Sequence, residues 1–175
     1  MGQRWEEGKQ WNLKLETEDG SKIDPALSVA EEEYELQTIQ FPYFDSQGDG
    51  IFERPIPTKK VKLADGKEVR IATVYDLMAS QYGIKRFGHE LEAKSYEDSE
   101  SKYTPAWQEN VTGIKQELVT QVAREFAQNA IDTKGRSMII MGAGINHWFN
   151  SDTIYRAVLN LVLLCGCQGV NGGGW

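Results

Sequence analysis

The stretch Ser137-Met-Ile-Ile-Met141 followed by Gly142-Ala-Gly-Ile-Asn-His-Trp148 decides the fold class of this 175-residue chain. A short apolar run precedes the glycines, and a longer apolar run at 154–164 follows them. α/β proteins use such a strand, glycine turn and helix to bring backbone amides up to a phosphate. The stretch therefore predicts a strand at 137–141, a turn at 142–148, a helix at about 152–164 and the α/β class.

The clearest helix signal lies just before this stretch. Apolar residues recur every fourth position at Ile114, Leu118, Val122, Phe126 and Ala130, with polar residues on the opposite face. This period predicts a helix over 114–131 whose apolar stripe covers one face of the sheet. The 154–164 run is apolar nearly all round, which predicts protein on every side of that helix.

Shorter elements are predicted in the middle of the chain. Alternating apolar residues flank Asp65-Gly66, a dipeptide typical of a β-hairpin. Thr73 is expected to cap a helix that ends near Gly83, and Thr104 to cap a helix whose first residue is Pro105.

The first fifty-odd residues contain many glycines and prolines and little periodicity. They predict extended segments and loops, as in an insertion that wraps other domains of a larger enzyme. We therefore divide the chain into an irregular or extended region at 1–57 and a partial α/β segment at 58–175 that forms part of a cofactor cleft.

Composition excludes several classes of function. The formal net charge of −7 argues against nucleic acid as a partner. No apolar run approaches the ~18–20 residues that span a bilayer, so we expect no direct insertion into a membrane. Two cysteines, Cys165 and Cys167, are too few for a metal cage and are expected to be reduced and buried. We interpret Asp76, Asp98 and His89 as solvent-facing.

The turn at 142–148 is the candidate ligand site. Glycines at 142 and 144 allow a steep turn with bare amides, while Asn146 and His147 offer donors and acceptors to a heterocycle edge. Gly142-x-Gly144-x-x-His147 lacks the third glycine of the dinucleotide fingerprint, which disfavours ordinary NAD binding. The alternative is a tight strand-to-helix turn without a ligand.

The same residues carry a family resemblance. Gly142-Ala-Gly-Ile-Asn-His-Trp148, the Cys165-Gly-Cys167 pair and Gly172-Gly-Gly-Trp175 resemble the alpha subunits of respiratory nitrate reductases. Those subunits are molybdopterin oxidoreductases of the dimethyl sulfoxide reductase type. The segment Tyr103-Thr-Pro-Ala-Trp-Gln-Glu-Asn-Val-Thr-Gly113 looks like one shared more widely in that family. The opening stretches Gly2-Gln-Arg-Trp5 and Lys9-Gln-Trp-Asn-Leu13 also look like nitrate reductase alpha subunits, so the resemblance covers essentially the whole chain.

The resemblance implies a partial Rossmann-like layer, inside a longer catalytic subunit, that lines the cleft of a molybdenum bis(molybdopterin guanine dinucleotide) cofactor. The parent would reduce nitrate to nitrite on the cytoplasmic side of the membrane. It would be attached through an iron–sulfur beta subunit and a membrane cytochrome b gamma subunit. Both glycine bends are then expected to contact the cofactor, through Gly142, Gly144, Asn146, His147, Trp148, Gly172, Gly173 and Gly174.

No residue matches the family's [4Fe–4S] ligands or its molybdenum-ligating aspartate. We therefore assign no catalytic residue and no metal ligand, and expect the fragment alone to be inactive. Two rival functions remain open at the level of sequence. One is an autonomous nucleotide-binding module, and the other is a structural segment whose apolar C-terminal third docks on a partner.

Overall fold

The computed structural model describes residues 19–21, 26–45 and 48–175. Its described residues form two compact units, one within 26–119 and the other comprising 120–175 together with 19–21. After a 3-10 turn at Val29–Glu31, the elements in chain order are β1 (Glu35–Asp45), β2 (Gly48–Lys62), β3 (Glu68–Ile71), α1 (Val74–Gln81), α2 (Pro105–Thr112), α3 (Gln116–Asp132), α4 (Ala143–Asn146) and α5 (Ser151–Leu164).

An antiparallel sheet of order β1-β2-β3 organises the first unit. β1 pairs with β2 from Glu35↔Thr58 to Asp45↔Gly48. β3 pairs with the end of β2 across the turn at Asp65 and Gly66, which confirms the predicted hairpin. Mixed helices and strands make the chain an α/β protein, as predicted.

β2 is longer than the sequence indicated, because Pro55 and Pro57 lie inside it. A proline has no N–H for a strand ladder and is tolerated where one side of the strand needs no donor. β3 pairs only with residues 59–62, so β1 is the only described strand that pairs with the proline segment. Ile56 between the prolines is 1% exposed and lies in the core of this unit. The proposed division at 57/58 falls inside this strand.

The two predicted helix caps are confirmed. The Thr73 hydroxyl accepts the N–H of Asp76 at the start of α1, and the Thr104 hydroxyl accepts the N–H of Trp107 at the start of α2. Gly83 follows the end of α1 with φ +71°, a left-handed conformation that favours glycine. α2 ends in the same way at Gly113, with φ +73°.

The core of the second unit is small. Ala130 from α3, Val162 from α5 and Cys167 are buried together, and four partly buried residues pack against them: Phe126, Ile139, Leu159 and Cys165. Both cysteines are free. The stripe of α3 is thus covered only near its C-terminal end.

The strand predicted at 137–141 is reduced to a single parallel bridge between Met138 and Gly174. A parallel strand needs a ladder of partners. Among the described residues only the segment at Gly174 lies beside it, where the Ile139 N–H donates to the Gly174 carbonyl at 2.9 Å. The helices on either side, α3 and α5, form as predicted within two residues of their expected bounds.

Candidate functional site

The first glycine bend is open on its outer side. An ideal Cβ at Gly142 or at Gly144 would meet nothing within 4 Å among the described residues. Gly142 has φ −151°, an extended conformation available to any residue. The backbone conformation therefore does not require glycine at 142, and the bare face is free for close approach by another group.

The bend contains only one helical turn. In α4 the Ile145 N–H donates to the Gly142 carbonyl at 3.0 Å and the His147 N–H to the Ala143 carbonyl at 3.3 Å. A helix this short has little macrodipole, because the dipole grows by summing aligned peptide units. The longer α5 begins at Ser151, and no side chain accepts a hydrogen bond at its Asn150 cap.

Asn146 is held by a residue that the sequence did not single out. The Tyr155 hydroxyl, on the first turns of α5, donates to Oδ1 of Asn146. The Tyr155 ring also packs on Trp175, with ring centroids 5.3 Å apart and planes inclined at 59°. Tyr155 therefore joins the first bend to the chain segment that follows the second.

The second glycine bend is closed onto its own backbone. A Cβ at Gly173 would lie 2.0 Å from the Gly135 carbonyl oxygen and 2.8 Å from that of Cys167. Gly174 has φ +93°, and its N–H donates to the Ser137 carbonyl at 3.0 Å. Packing within the unit is enough to explain glycine at 173 and 174, which weakens them as predicted ligand contacts. Gly172 also has a left-handed φ, +86°.

An apolar surface surrounds the open bend. Trp148 is 69% exposed and Phe149 is 99% exposed, and Ile140 on the approach to the bend is 89% exposed. His147 is exposed as well. Large apolar side chains exposed together are typical of a surface that contacts other protein or a ligand.

Asp76, which we interpreted as solvent-facing, is fully buried in the first unit. Its Oδ1 accepts hydrogen bonds from Ser28 Oγ at 2.6 Å and Arg86 Nη1 at 2.8 Å, and its Oδ2 from the Val29 N–H and Thr73 Oγ1. Burial raises the pKa of Asp76, but the hydrogen bonds from Ser28, Arg86, Val29 and Thr73 together outweigh it and lower that pKa. The carboxylate is therefore a charged hub that joins three chain segments.

The loop after α1 is organised by a second carboxylate. Glu92 is 7% exposed and accepts the N–H groups of Arg86 at 2.8 Å, Phe87 at 3.0 Å and His89 at 3.0 Å. Burial raises the pKa of Glu92, and these backbone donors together with the Gly88 amide lower it by more. This loop has no helix or strand, yet its backbone is held in place.

Two further side chains also differ from the interpretation as solvent-facing. His89 is half-buried, and its Nδ1 accepts the Leu91 N–H at 3.2 Å. Asp98 is half-buried too, and the backbone N–H groups of Lys94, first, and of Ser101 lower its pKa. A pattern of local sequence does not show such bonds, because polar loop residues look alike whether solvated or folded inward.

Comparison with known protein families gives a match that includes both glycine bends. The family model described as molybdopterin oxidoreductase matches residues 68–175, more than half of the chain and both glycine bends. The chain belongs to the molybdopterin oxidoreductase family. This confirms the resemblance at the level of the family.

Relatives of this molybdopterin oxidoreductase chain carry related names. It is 59% identical to a nitrate reductase alpha chain of Bacillus subtilis over its whole length, and 39% identical to the respiratory nitrate reductase 1 alpha chain of Escherichia coli, also over its whole length. It is 32% identical to the perchlorate reductase subunit alpha of Dechloromonas aromatica over 66% of its length. The chain spans 14%, 15% and 10% of these three relatives, respectively.

The side chains of the described residues include no group of three or more His, Cys, Asp or Glu placed to hold a metal ion. None of the helices in this part of the chain is long and apolar enough to cross a bilayer.

Proposed function

We propose that this chain is a segment of the catalytic alpha subunit of a respiratory nitrate reductase. The parent reduces nitrate to nitrite and water with two electrons and two protons. One observation carries the proposal: nitrate reductase alpha chains match this chain along its whole length, at 59% identity in the Bacillus subtilis protein. The perchlorate reductase subunit matches less of it and at lower identity, which favours nitrate as the substrate.

The segment's own task is to hold part of the cofactor. Bare glycines at 142 and 144 leave space for a flat or phosphorylated group to lie against the backbone. The amide of Asn146 and the imidazole of His147, both exposed beside that space, suit the donors and acceptors of a pterin or guanine edge. These groups fit a molybdopterin guanine dinucleotide, and the exposed Trp148 ring offers an apolar face beside them.

When bound, the molybdenum–pterin group supplies the electrons and the metal at which an oxygen atom leaves nitrate. The residues of this segment bind and orient the group and help to exclude water. They supply neither a metal ligand nor an acid or base to the reaction. Among the predicted contacts, those at Gly142, Gly144, Asn146, His147 and Trp148 belong to the open bend, where the bare glycines leave room for the group. Gly172, Gly173 and Gly174 stay proposed contacts, although backbone packing alone accounts for glycine at 173.

The remaining parts of the proposal concern the parent protein. Residues 58–175 belong to its cofactor-cleft domain, and 1–57 to an extended insertion. A [4Fe–4S] cluster bound elsewhere in the alpha subunit receives electrons from an iron–sulfur beta subunit and a membrane cytochrome b gamma subunit. The assembly lies at the cytoplasmic face of the membrane.

The test uses the complete alpha subunit that contains this segment, purified with its partner subunits. Nitrate-dependent oxidation of a reduced dye is measured together with molybdenum content, and perchlorate is offered in parallel. We expect stoichiometric molybdenum and a kcat/KM for nitrate well above that for perchlorate. A protein without molybdenum, or one that prefers perchlorate, would overturn the proposal.

The rival function as an autonomous nucleotide-binding module is tested on the isolated chain. We expect it to be inactive with nitrate and to bind neither GDP nor NAD tightly. Tight binding of either nucleotide by the isolated chain would favour an autonomous nucleotide-binding module instead.

A further inference from the structure

Tyr155 occupies a position between the two glycine bends that no sequence motif marked. Its hydroxyl donates to Asn146 Oδ1, and its ring packs on Trp175. All three residues lie in the same compact unit, so the contacts are internal to one folded body. Tyr155 itself is half-buried, whereas Asn146 is exposed.

The hydrogen bond determines which end of the Asn146 side-chain amide faces outward. An asparagine amide has an acceptor oxygen and a donor NH₂ group, and its orientation follows from the bonds it makes. Because the Tyr155 hydroxyl occupies Oδ1, the Nδ2 group is the end left to point away from α5. Because Asn146 is exposed, this Nδ2 group is open to an acceptor outside the chain.

We propose that Tyr155 is a positioning residue that presents the Asn146 NH₂ group to an acceptor oxygen, either a carbonyl or a phosphate oxygen, of the bound pterin cofactor. This inference rests on the proposed function. It specifies the polarity of the contact: the cofactor atom that faces Asn146 accepts a hydrogen bond and does not donate one.

The packing on Trp175 gives Tyr155 the rigidity that this task requires. A phenol ring held by a tilted aromatic neighbour has few alternative rotamers, so its hydroxyl keeps one direction. A donor held in place before the ligand arrives costs less conformational entropy on binding. Trp175 therefore acts on Asn146 through Tyr155 even without touching the cofactor.

The test uses the complete reductase and follows loss of the cofactor, a readout independent of turnover. Molybdenum and released guanine nucleotide are measured over time after transfer to cofactor-free buffer. Tyr155→Phe keeps the ring and removes the hydroxyl, and Asn146→Asp keeps the acceptor for Tyr155 but removes the NH₂ group. We expect Tyr155→Phe to lose cofactor about three- to tenfold faster, as for the loss of a hydrogen bond. Asn146→Asp should lose it at least as fast, because its carboxylate also repels an acceptor oxygen.

Two comparisons separate positioning from a merely structural role. The double variant Tyr155→Phe/Asn146→Asp should lose cofactor no faster than the faster single variant, because the two residues act on one contact. The thermal midpoint of the cofactor-free protein should be the same for Tyr155→Phe as for the wild type. Tyr34→Phe, which removes an exposed hydroxyl in the other unit, is the matched control and should retain cofactor like the wild type.

Each remaining result has a definite meaning. Wild-type retention of molybdenum by Tyr155→Phe, or effects of the two substitutions that multiply, overturns the inference and leaves the proposed function standing. A lowered midpoint of the cofactor-free Tyr155→Phe protein with unchanged cofactor loss assigns Tyr155 to folding alone. Absence of molybdenum from the wild-type protein removes the proposed function and this inference with it.

Discussion

Glycines in the two bends serve different purposes, and substitution by alanine separates them. Gly173 has backbone oxygens at 2.0 and 2.8 Å from the position of a Cβ, whereas Gly142 has open space there. A methyl group at 173 must displace backbone, but one at 142 meets nothing and reduces the freedom of the unfolded chain.

We therefore expect Gly173→Ala to lower the free energy of unfolding by about 1–3 kcal/mol, as for an overpacked site. Gly142→Ala should leave it unchanged or raise it by up to about 1 kcal/mol. Urea denaturation of the 175-residue chain measures both. Equal destabilisation by the two substitutions would contradict the assignment of different roles.

Asp76 is the residue whose loss should matter most in the first unit. Its removal leaves the Arg86 guanidinium, with a side chain 16% exposed, without its carboxylate partner. Breaking a buried ion pair on one side typically costs about 3–5 kcal/mol. Asp76→Asn should therefore approach that loss in urea denaturation, while Asp132→Asn at the exposed end of α3 should change stability by less than about 0.5 kcal/mol. A similarly small effect of the two substitutions would contradict the role of Asp76 in joining the three chain segments.

Acid should weaken the first unit through Asp76 and Glu92. Both carboxyl groups have a lower pKa when folded, so the unfolded chain binds more protons as the pH falls. Their stabilisation is complete above the ordinary values of 3.8 and 4.5 and is lost as the pH falls through the folded values. The urea midpoint should fall between about pH 5 and pH 2, and less steeply in Glu92→Gln than in Glu100→Gln. Parallel curves for these two variants would contradict this.

Local signals predicted the residues whose partners are close in sequence. Thr73 and Thr104 cap helices three residues ahead of the N–H groups they accept, and such caps are visible in a short window. Asp76 was interpreted wrongly because Ser28 lies 48 residues away and Arg86 lies ten away. An acidic residue in the first turn of a helix looks the same whether it is buried or exposed.

At the scale of elements, periodicity predicted the helices better than the strands. A helix makes its own hydrogen bonds, so α3 and α5 form wherever their sequence favours them. The run at 137–141 depends on neighbouring strands and has only the bridge to Gly174 among the described residues. The length of β2 was not predicted for a different reason. Its prolines are compatible with a strand only because β3 ends before it reaches them.

The uncovered part of α3 gives a prediction at the same scale. Leu118 is 54% exposed and Val122 is 58% exposed. Both lie on the apolar stripe of α3, which its periodicity predicts to be covered. Leu118→Gln/Val122→Gln should change the stability of the isolated chain by less than about 0.5 kcal/mol per site. In the complete reductase it should reduce the yield of assembled, molybdenum-containing enzyme. Normal assembly would show that the stripe faces solvent there too.

At the scale of the whole molecule, apolar exposure and family membership agree. Phe149, Trp148 and Ile140 are exposed beside a bend that the molybdopterin oxidoreductase model covers. The chain spans 14% of its Bacillus subtilis relative, whose remaining length offers protein to cover such a surface. An apolar dye should bind the isolated chain strongly and the assembled reductase weakly, and equal binding would contradict this explanation.

The most direct measurement is the molybdenum content of the complete reductase carrying Gly142→Val. A β-branched residue suits the extended backbone at 142, so the isolated chain should keep its urea midpoint. If the bend lies against the cofactor, the added side chain occupies the space of the pterin group, and affinity for the cofactor should fall about tenfold or more. The account predicts molybdenum-poor protein that is otherwise folded. Full molybdenum content in a folded Gly142→Val reductase would contradict it.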